Sequence, residues 1–365
     1  MKITTINTYA GSLLLGAGLA GLKVERSLED SEYGVKFQRA NYPDLEVITR
    51  RDLWPDVSLR NSPVIAHPPC AAFSSANTCS AKARGVTADK FQCTVDVMRY
   101  AMGLETPALM IESVPAAAAG AFQIHEDIAA EHGYRVARIF QNADTFGVPQ
   151  SRRRFWVLFL RNDVKPVMRF RMGHARQAPV MIGSLLRDEV CGAQTIDEKH
   201  AERYNRQIAR FRSNTCTVHH EKELLFTPGR ANNTLRKLMG GKLTTREVAD
   251  KWFDERYEAH IFRTLDPEKP TPTLVFDSLW RFPHSFERPN GLLSIDDYKH
   301  VMGFPRYYKM TGTHRDLAYL SRGVVPQVAA WLLFNVVNHL EDREPDNTND
   351  VVELDLSSRP CYLRG

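Results

Sequence analysis

Short apolar runs, each closed by a polar or turn-forming stretch, recur through the first 165 residues and alternate with segments whose apolar positions fall at helical spacing. The runs at 3–9, 23–26, 45–48, 64–67, 108–112, 134–141 and 154–160 predict strands, because each joins branched or aromatic residues without helical period. Segments 13–22, 31–41, 94–103 and 121–132 predict the intervening helices. Such alternation predicts an α/β fold, a doubly wound and mostly parallel sheet. Beyond Val167 the pattern breaks. Residues 167–265 mix short apolar clusters with Arg203, Arg206, Arg210, Arg212, Arg230, Arg236 and Lys237, and read as a smaller inserted domain. Alternation resumes near Thr273 and closes in an apolar helix at 325–340, so 266–342 returns to the principal domain of 1–166. The polar segment 343–365 reads as a mobile tail.

Composition narrows the class. With 365 residues and 43% apolar content the chain can bury a large core, and its net charge of +5 permits a polyanionic partner without requiring one. The apolar stretch 13–22 has only Lys2 as a basic residue before it and follows a predicted strand, so it reads as the first helix of a nucleotide-binding unit instead of a secretory leader. The six cysteines form no CxxC pair. Cys216 with His219 and His220 lacks a second ligand pair, and no metal site is expected.

Chemistry concentrates at Pro68-Pro69-Cys70. Two prolines after Val64-Ile65-Ala66 end a buried strand abruptly, because proline has no N–H to extend the ladder. The thiol is therefore expected at a strand's carboxyl edge, where open α/β sheets bind ligands. A nucleophilic thiol requires a reducing compartment, which predicts a cytoplasmic protein with no membrane association. A buried structural cysteine is the alternative reading.

Further segments share the order of a known family. Tyr9-Ala10-Gly11, Glu29, Asp52-Leu53, Pro69-Cys70, Ile111-Glu112-Ser113-Val114, Gln150-Ser151-Arg152-Arg153-Arg154, Arg288, Met302-Gly303-Phe304-Pro305 and Val325-Pro326 together resemble the cytosine-C5 DNA methyltransferases, from about residue 7 to about residue 340. The resemblance implies a Rossmann-like methyltransferase domain, a target-recognition domain at 167–265, S-adenosylmethionine as donor and double-stranded DNA as partner, with the chain acting as a monomer. It implies a covalent route. Cys70 adds to carbon 6 of an extruded cytosine, Glu112 donates a proton to N3 from a carboxyl whose pKa burial raises, and Arg152 and Arg154 hold the base and the loop. It also places Tyr9, Ala10, Gly11, Glu29, Asp30, Asp52, Leu53, Pro69, Gly323 and Val324 around the cofactor, with Glu29 accepting from the ribose and Asp52 from the adenine.

The sequence departs from the family pattern at Leu13-Leu14, where two glycines are expected in the cofactor turn, at Gly323, where an asparagine is expected, and at Ala71-Ala72 and Ser113. These changes leave alternatives open. Arg322 can recognise a carboxylate on a modified sulfonium donor, the chain can be an impaired DNA-binding homologue, or the same chemistry can act on RNA, against which Cys70-Ala71-Ala72 argues. The arginines of the inserted segment can read guanine edges, grip phosphates or simply face solvent, and 243–249 loosely resembles a helix-turn-helix. Restriction-linked, regulatory and phage self-protection roles all use these same parts.

Overall fold

The computed structural model describes residues 1–49, 54–55, 58–74, 85–183, 262–264, 269–274, 279–281, 295–311, 315–343, 345, 350–357 and 361–364. The first unit runs β1 (Lys2–Ile6), α1 (Ser12–Leu19), β2 (Lys23–Leu28), α2 (Glu32–Asn41), β3 (Glu46–Ile48). The second runs β4 (Val64–Ala66), α3 (Asp89–Gly103), β5 (Ala108–Ser113), α4 (Ala117–Gly120), α5 (Phe122–His132), β6 (Tyr134–Asn142). There follow β7 (Gln150–Ser151), β8 (Arg153–Arg161), β9 (Val167–Arg171), β10 (Phe262–Thr264), β11 (Thr271–Pro272), β12 (Leu279–Arg281), α6 (Ile295–Val301), α7 (Arg315–Arg322), α8 (Pro326–Leu340), β13 (Val351–Asp355) and β14 (Tyr362–Arg364).

Eight strands form one sheet in the order β14-β6-β8-β5-β4-β1-β2-β3. All neighbours pair in parallel except β8, which runs antiparallel to both β5 and β6. This is the doubly wound, mostly parallel sheet the alternation predicts, and its strand order reverses between β1 and β4, the switch point at whose carboxyl edge such sheets bind their ligands.

Strand alternation splits the core into two layers. In β8, Trp156, Leu158 and Leu160 face the layer that holds Leu13, Ala17, Trp331 and Leu332, whereas Phe155, Val157 and Phe159 face the layer that holds Phe91, Met98 and Ile128. Helices α1 and α8 thus cover one face and α3 and α5 the other. A glycine lets α1 and α8 meet closely: a Cβ added at Gly16 would lie 2.8 Å from the Ala329 Cβ and 2.9 Å from the Pro326 carbonyl. The helical stretch Asp316–Leu340 is long and apolar enough to span a bilayer by composition, but 78% of its apolar window is buried in the protein, as in a core helix.

Three expectations need correction. Leu13 and Leu14 lie inside α1, both buried, so they do not form the cofactor turn; the chain turns earlier, at Asn7, Tyr9 and Gly11, which have φ of 52°, 51° and 84°. Residues 167–183 pack into the principal core through Met168, Phe170, Met172, Ala175 and Ile182, so that domain extends past 167. The segment read as a mobile tail supplies two strands, β13 antiparallel to β9 and β14 parallel to β6. Its polar residues alternate with buried Leu354, Leu356, Cys361 and Leu363, a period-two pattern too short to stand out among charged neighbours.

Candidate active site

Strand register places an unforeseen residue beside the predicted acid. Because Ala66 of β4 pairs with Ile111 of β5, the next residues, His67 just past the end of β4 and Glu112 within β5, come side by side. His67 Nε2 lies 3.0 Å from Glu112 Oε2, and both side chains are buried. On the other carboxylate oxygen, Arg154 Nε lies 3.0 Å from Glu112 Oε1. Both are charge contacts at poor hydrogen-bond angles, so each carboxylate oxygen keeps acceptor capacity. Past Pro68 and Pro69 the chain brings Cys70, half-buried, close enough to act electrostatically on His67.

The electrostatics reverse one expectation. Burial pulls the Glu112 carboxyl upward, but His67, then Arg154 and Arg152, outweigh it and hold Glu112 below its ordinary value. The sequence reading weighed burial without the cations. His67 moves the other way: burial favours its neutral form, yet the charge of Glu112 and contacts with Cys70 push it up to about 9.

The segment Gln150-Ser151-Arg152-Arg153-Arg154 is extended, so alternate side chains share a face. Gln150 is buried and donates from Nε2 to the Val301 carbonyl at 3.1 Å, fixing the end of α6. Arg152 donates from Nη2 to the Gly323 carbonyl at 2.8 Å, while its buried Nε and Nη1 have no hydrogen-bond partner among the described residues. Burial, and then Arg154, lower Arg152 to about 9 against the pull of Glu112 and Cys70. Arg154 is thus the partner of Glu112, and Arg152 is a buried cation with two donors to spare.

The predicted cofactor residues gather at the carboxyl edge of β1 and β2. The Tyr9 amide donates to Glu29 Oε2 at 2.8 Å, Gln38 Nε2 donates to the same oxygen at 3.1 Å, and the Ser31 amide donates to Oε1 at 3.0 Å. Burial pushes Glu29 up to about 8, only partly offset by the Ser31 and Tyr9 amides. Asp30 is exposed and accepts from Asn7 Nδ2 at 2.7 Å. Tyr308 Oη donates to the Ala10 carbonyl at 2.6 Å, and the Val324 amide donates to Ser12 Oγ at 3.3 Å, which draws Gly323 and Val324 against the turn containing Gly11. The Tyr9 ring meets His67 edge-on with centroids 5.0 Å apart, joining this edge to the thiol cluster. A buried acceptor on the same turn, Asn7 Oδ1, has no hydrogen-bond partner among the described residues. Such an acceptor-lined turn fits the hydroxyl, ammonium and sulfonium groups of S-adenosylmethionine.

Pro69 and Cys70 line a small crevice with Phe73, Ile111 and Ser113. Asp52 and Leu53 lie outside the described residues, as do Arg288, residues 184–261 and the segments read there as recognition elements, a Cys-His cluster and a helix-turn-helix. The sequence reading missed His67. Its available signal was an ionisable residue at the end of a buried strand, three positions before the thiol.

The model of the C-5 cytosine-specific DNA methylases matches residues 1–336. A protein of Oceanobacillus iheyensis described as a type II methyltransferase is 25% identical over 191 residues, 45% of this chain but only 40% of that protein. Among solved structures, the chain is similar to a DNA modification methyltransferase encoded within an E. coli prophage, with 16% identity, a TM-score of 0.61 and coverage of 93% of this chain and 99% of that one. It is also similar to Spodoptera frugiperda DNMT2, with 13% identity, a TM-score of 0.56 and coverage of 92% and 99%. At such identities the structural likeness speaks for the fold. The extent of the family match decides the rest: this chain belongs to the C-5 cytosine-specific DNA methylase family.

Proposed function

We propose that the chain methylates carbon 5 of cytosine in DNA through a transient bond between Cys70 and carbon 6 of an extruded base. The observation that carries this reading is the convergence of Cys70, Glu112, Arg152 and Arg154 beside an acceptor-lined turn. Carbon 5 is too poor a nucleophile to take a methyl group unaided, and addition of a thiolate at carbon 6 makes the ring electron-rich. S-adenosylmethionine, when bound, supplies the electrophilic methyl. Glu29, Asp30 and Asn7 would hold the donor's hydroxyl and ammonium groups, and Glu112 would accept from the exocyclic amine and, when protonated, donate to N3. The two spare donors of Arg152 suit the carbonyl oxygen of the base. Because a duplex hides the ring from Cys70, the base must leave the stack.

Incubation with duplex DNA and S-adenosylmethionine, followed by digestion and mass analysis of nucleosides, should give 5-methylcytosine, and bisulfite sequencing would report the recognised site. DNA carrying 5-fluorocytosine should form an adduct at Cys70, since the fluorine cannot leave as a proton. Cys70→Ser should abolish both signals, and methylation by that variant would overturn the covalent route. A second reading rests on Arg322, exposed and close enough to act electrostatically on Tyr9. There a carboxylated sulfonium donor would yield a heavier product base, which the same mass analysis distinguishes.

A further inference from the structure

We propose that one chain of hydrogen bonds joins the cation of the base pocket, Arg152, to the carboxylate of the donor turn, Glu29, so that base and donor strengthen each other's binding. This rests on the methyl-transfer reading and deepens it. Arg152 Nη2 donates to the Gly323 carbonyl at 2.8 Å, and the other end of that same peptide unit, the Val324 amide, donates to Ser12 Oγ at 3.3 Å. Ser12 Oγ donates in turn to the Thr8 carbonyl at 3.4 Å. A second peptide is shared in the same way. Its amide is that of Tyr9, which donates to Glu29 Oε2 at 2.8 Å. Two peptides and one hydroxyl thus connect a buried guanidinium to a buried carboxylate, and every donor between them points the same way.

The common direction is what lets the ends feel each other. A peptide whose carbonyl accepts from a cation becomes a stronger donor at its amide, and a carboxylate at the far end polarises the chain from the other side. Both ends also face a ligand. Arg152 keeps Nε and Nη1 without a hydrogen-bond partner among the described residues, which suits the carbonyl oxygen of the base, and Glu29 is the acceptor for the donor's ribose hydroxyls in the proposed reading.

The two bonds at Ser12 are long for hydrogen bonds, whereas the two outer ones are already short. Ligands that fix the ends therefore tighten the middle. Ser12 is fully buried at the first residue of α1, and Gly323 lets the peptide lie against it: a Cβ there would stand 3.6 Å from Ser12 Oγ and 3.3 Å from the Leu320 carbonyl. No proton travels along this chain; polarisation and position do. Ser12 acts through its neighbours and is a positioning residue.

Calorimetric titration of the full chain with S-adenosylhomocysteine, at about pH 8.5 so that both ends carry charge, reads the donor end without DNA or turnover. Ser12→Ala and Arg152→Met should each weaken binding about fivefold, and the double variant should bind no worse than either alone, because both cut one chain. Losses that multiply to about twenty-five-fold, or an Arg152→Met that binds like wild type, overturn the proposal. If Arg152→Met loses cooperative melting, amide exchange decides: saturating S-adenosylhomocysteine should slow exchange across 150–154 in wild type and not in Ser12→Ala. Equal protection in the two proteins, or none in wild type, overturns the proposal. A wild-type chain that binds no S-adenosylhomocysteine sinks the donor assignment and the proposal together, whereas multiplying losses sink the proposal alone. Binding without methylation of any DNA would instead sink the proposed function and leave the titrations to judge the chain.

Discussion

Glu112→Gln keeps the side chain's volume and removes the negative charge lodged between His67 and Arg154. The rise of His67 from 6.5 to about 9 corresponds to about 3 kcal/mol of stability. Its sign follows from linkage. A group whose pKa is higher in the folded state stabilises the fold fully below its unfolded value, so this contribution is complete below pH 6.5 and disappears as pH climbs through 9. In the variant, burial without a counter-charge favours the neutral ring, and the contribution is absent throughout. The variant should therefore be less stable than wild type by about 3 kcal/mol at pH 6. By pH 9.5 the difference should shrink to the Arg154 contact, about 1 kcal/mol or less because that guanidinium is partly solvated. Urea unfolding at the two pH values, followed by tryptophan fluorescence, measures the difference. Trp156 is buried and pairs with Glu112 across β5 and β8, which makes it a local reporter. An equal loss at both pH values would refute the claim that a charged His67 governs the site.

Packing and topology supply two more tests. Gly16→Val should lower stability by about 1–3 kcal/mol in thermal unfolding through collision with α8, whereas Gly18→Ala, with nothing within 4 Å of the added Cβ, should be neutral or slightly stabilising; equal effects would refute the close helix contact. Removing residues 358–365 strips β14 from β6 and takes away the Cys361 carbonyl that accepts from the Arg138 amide at 3.0 Å. The shortened chain should melt lower and self-associate on size exclusion through the bared strand edge, and an unchanged profile would mean that β14 adds nothing to the sheet.

The sequence carried the sheet well because β4, β5 and β8 are continuous apolar runs, and burial on both faces leaves such runs few other structures. Helix bounds shifted by local chemistry: Ser31 became the N-cap of α2, its hydroxyl accepting from the Gly34 amide at 3.3 Å. Cys70, Glu112, Arg152 and Arg154 were legible as residue types in a spacing. What they touch was not. The partnership of His67 with Glu112 depends on the register of two strands more than forty residues apart, and the depressed Glu112 depends on that same His67 and then on Arg154 and Arg152. The same limit hid β13 and β14, whose partners lie far earlier in the chain.

The contact between α1 and α8 has a consequence for how the molecule assembles. Leu13 and Ala17 find cover only when residues 326–340 arrive, and β6 gains its outer neighbour only with residues 362–364. During synthesis the first half of the sheet must wait with an uncovered face while some two hundred residues, including the whole inserted segment, leave the ribosome. Such closure over long sequence distance slows folding and exposes sticky surface meanwhile. It also means that a protease cut within the insert severs the chain without separating the pieces, because each half of the principal domain is the other's lining.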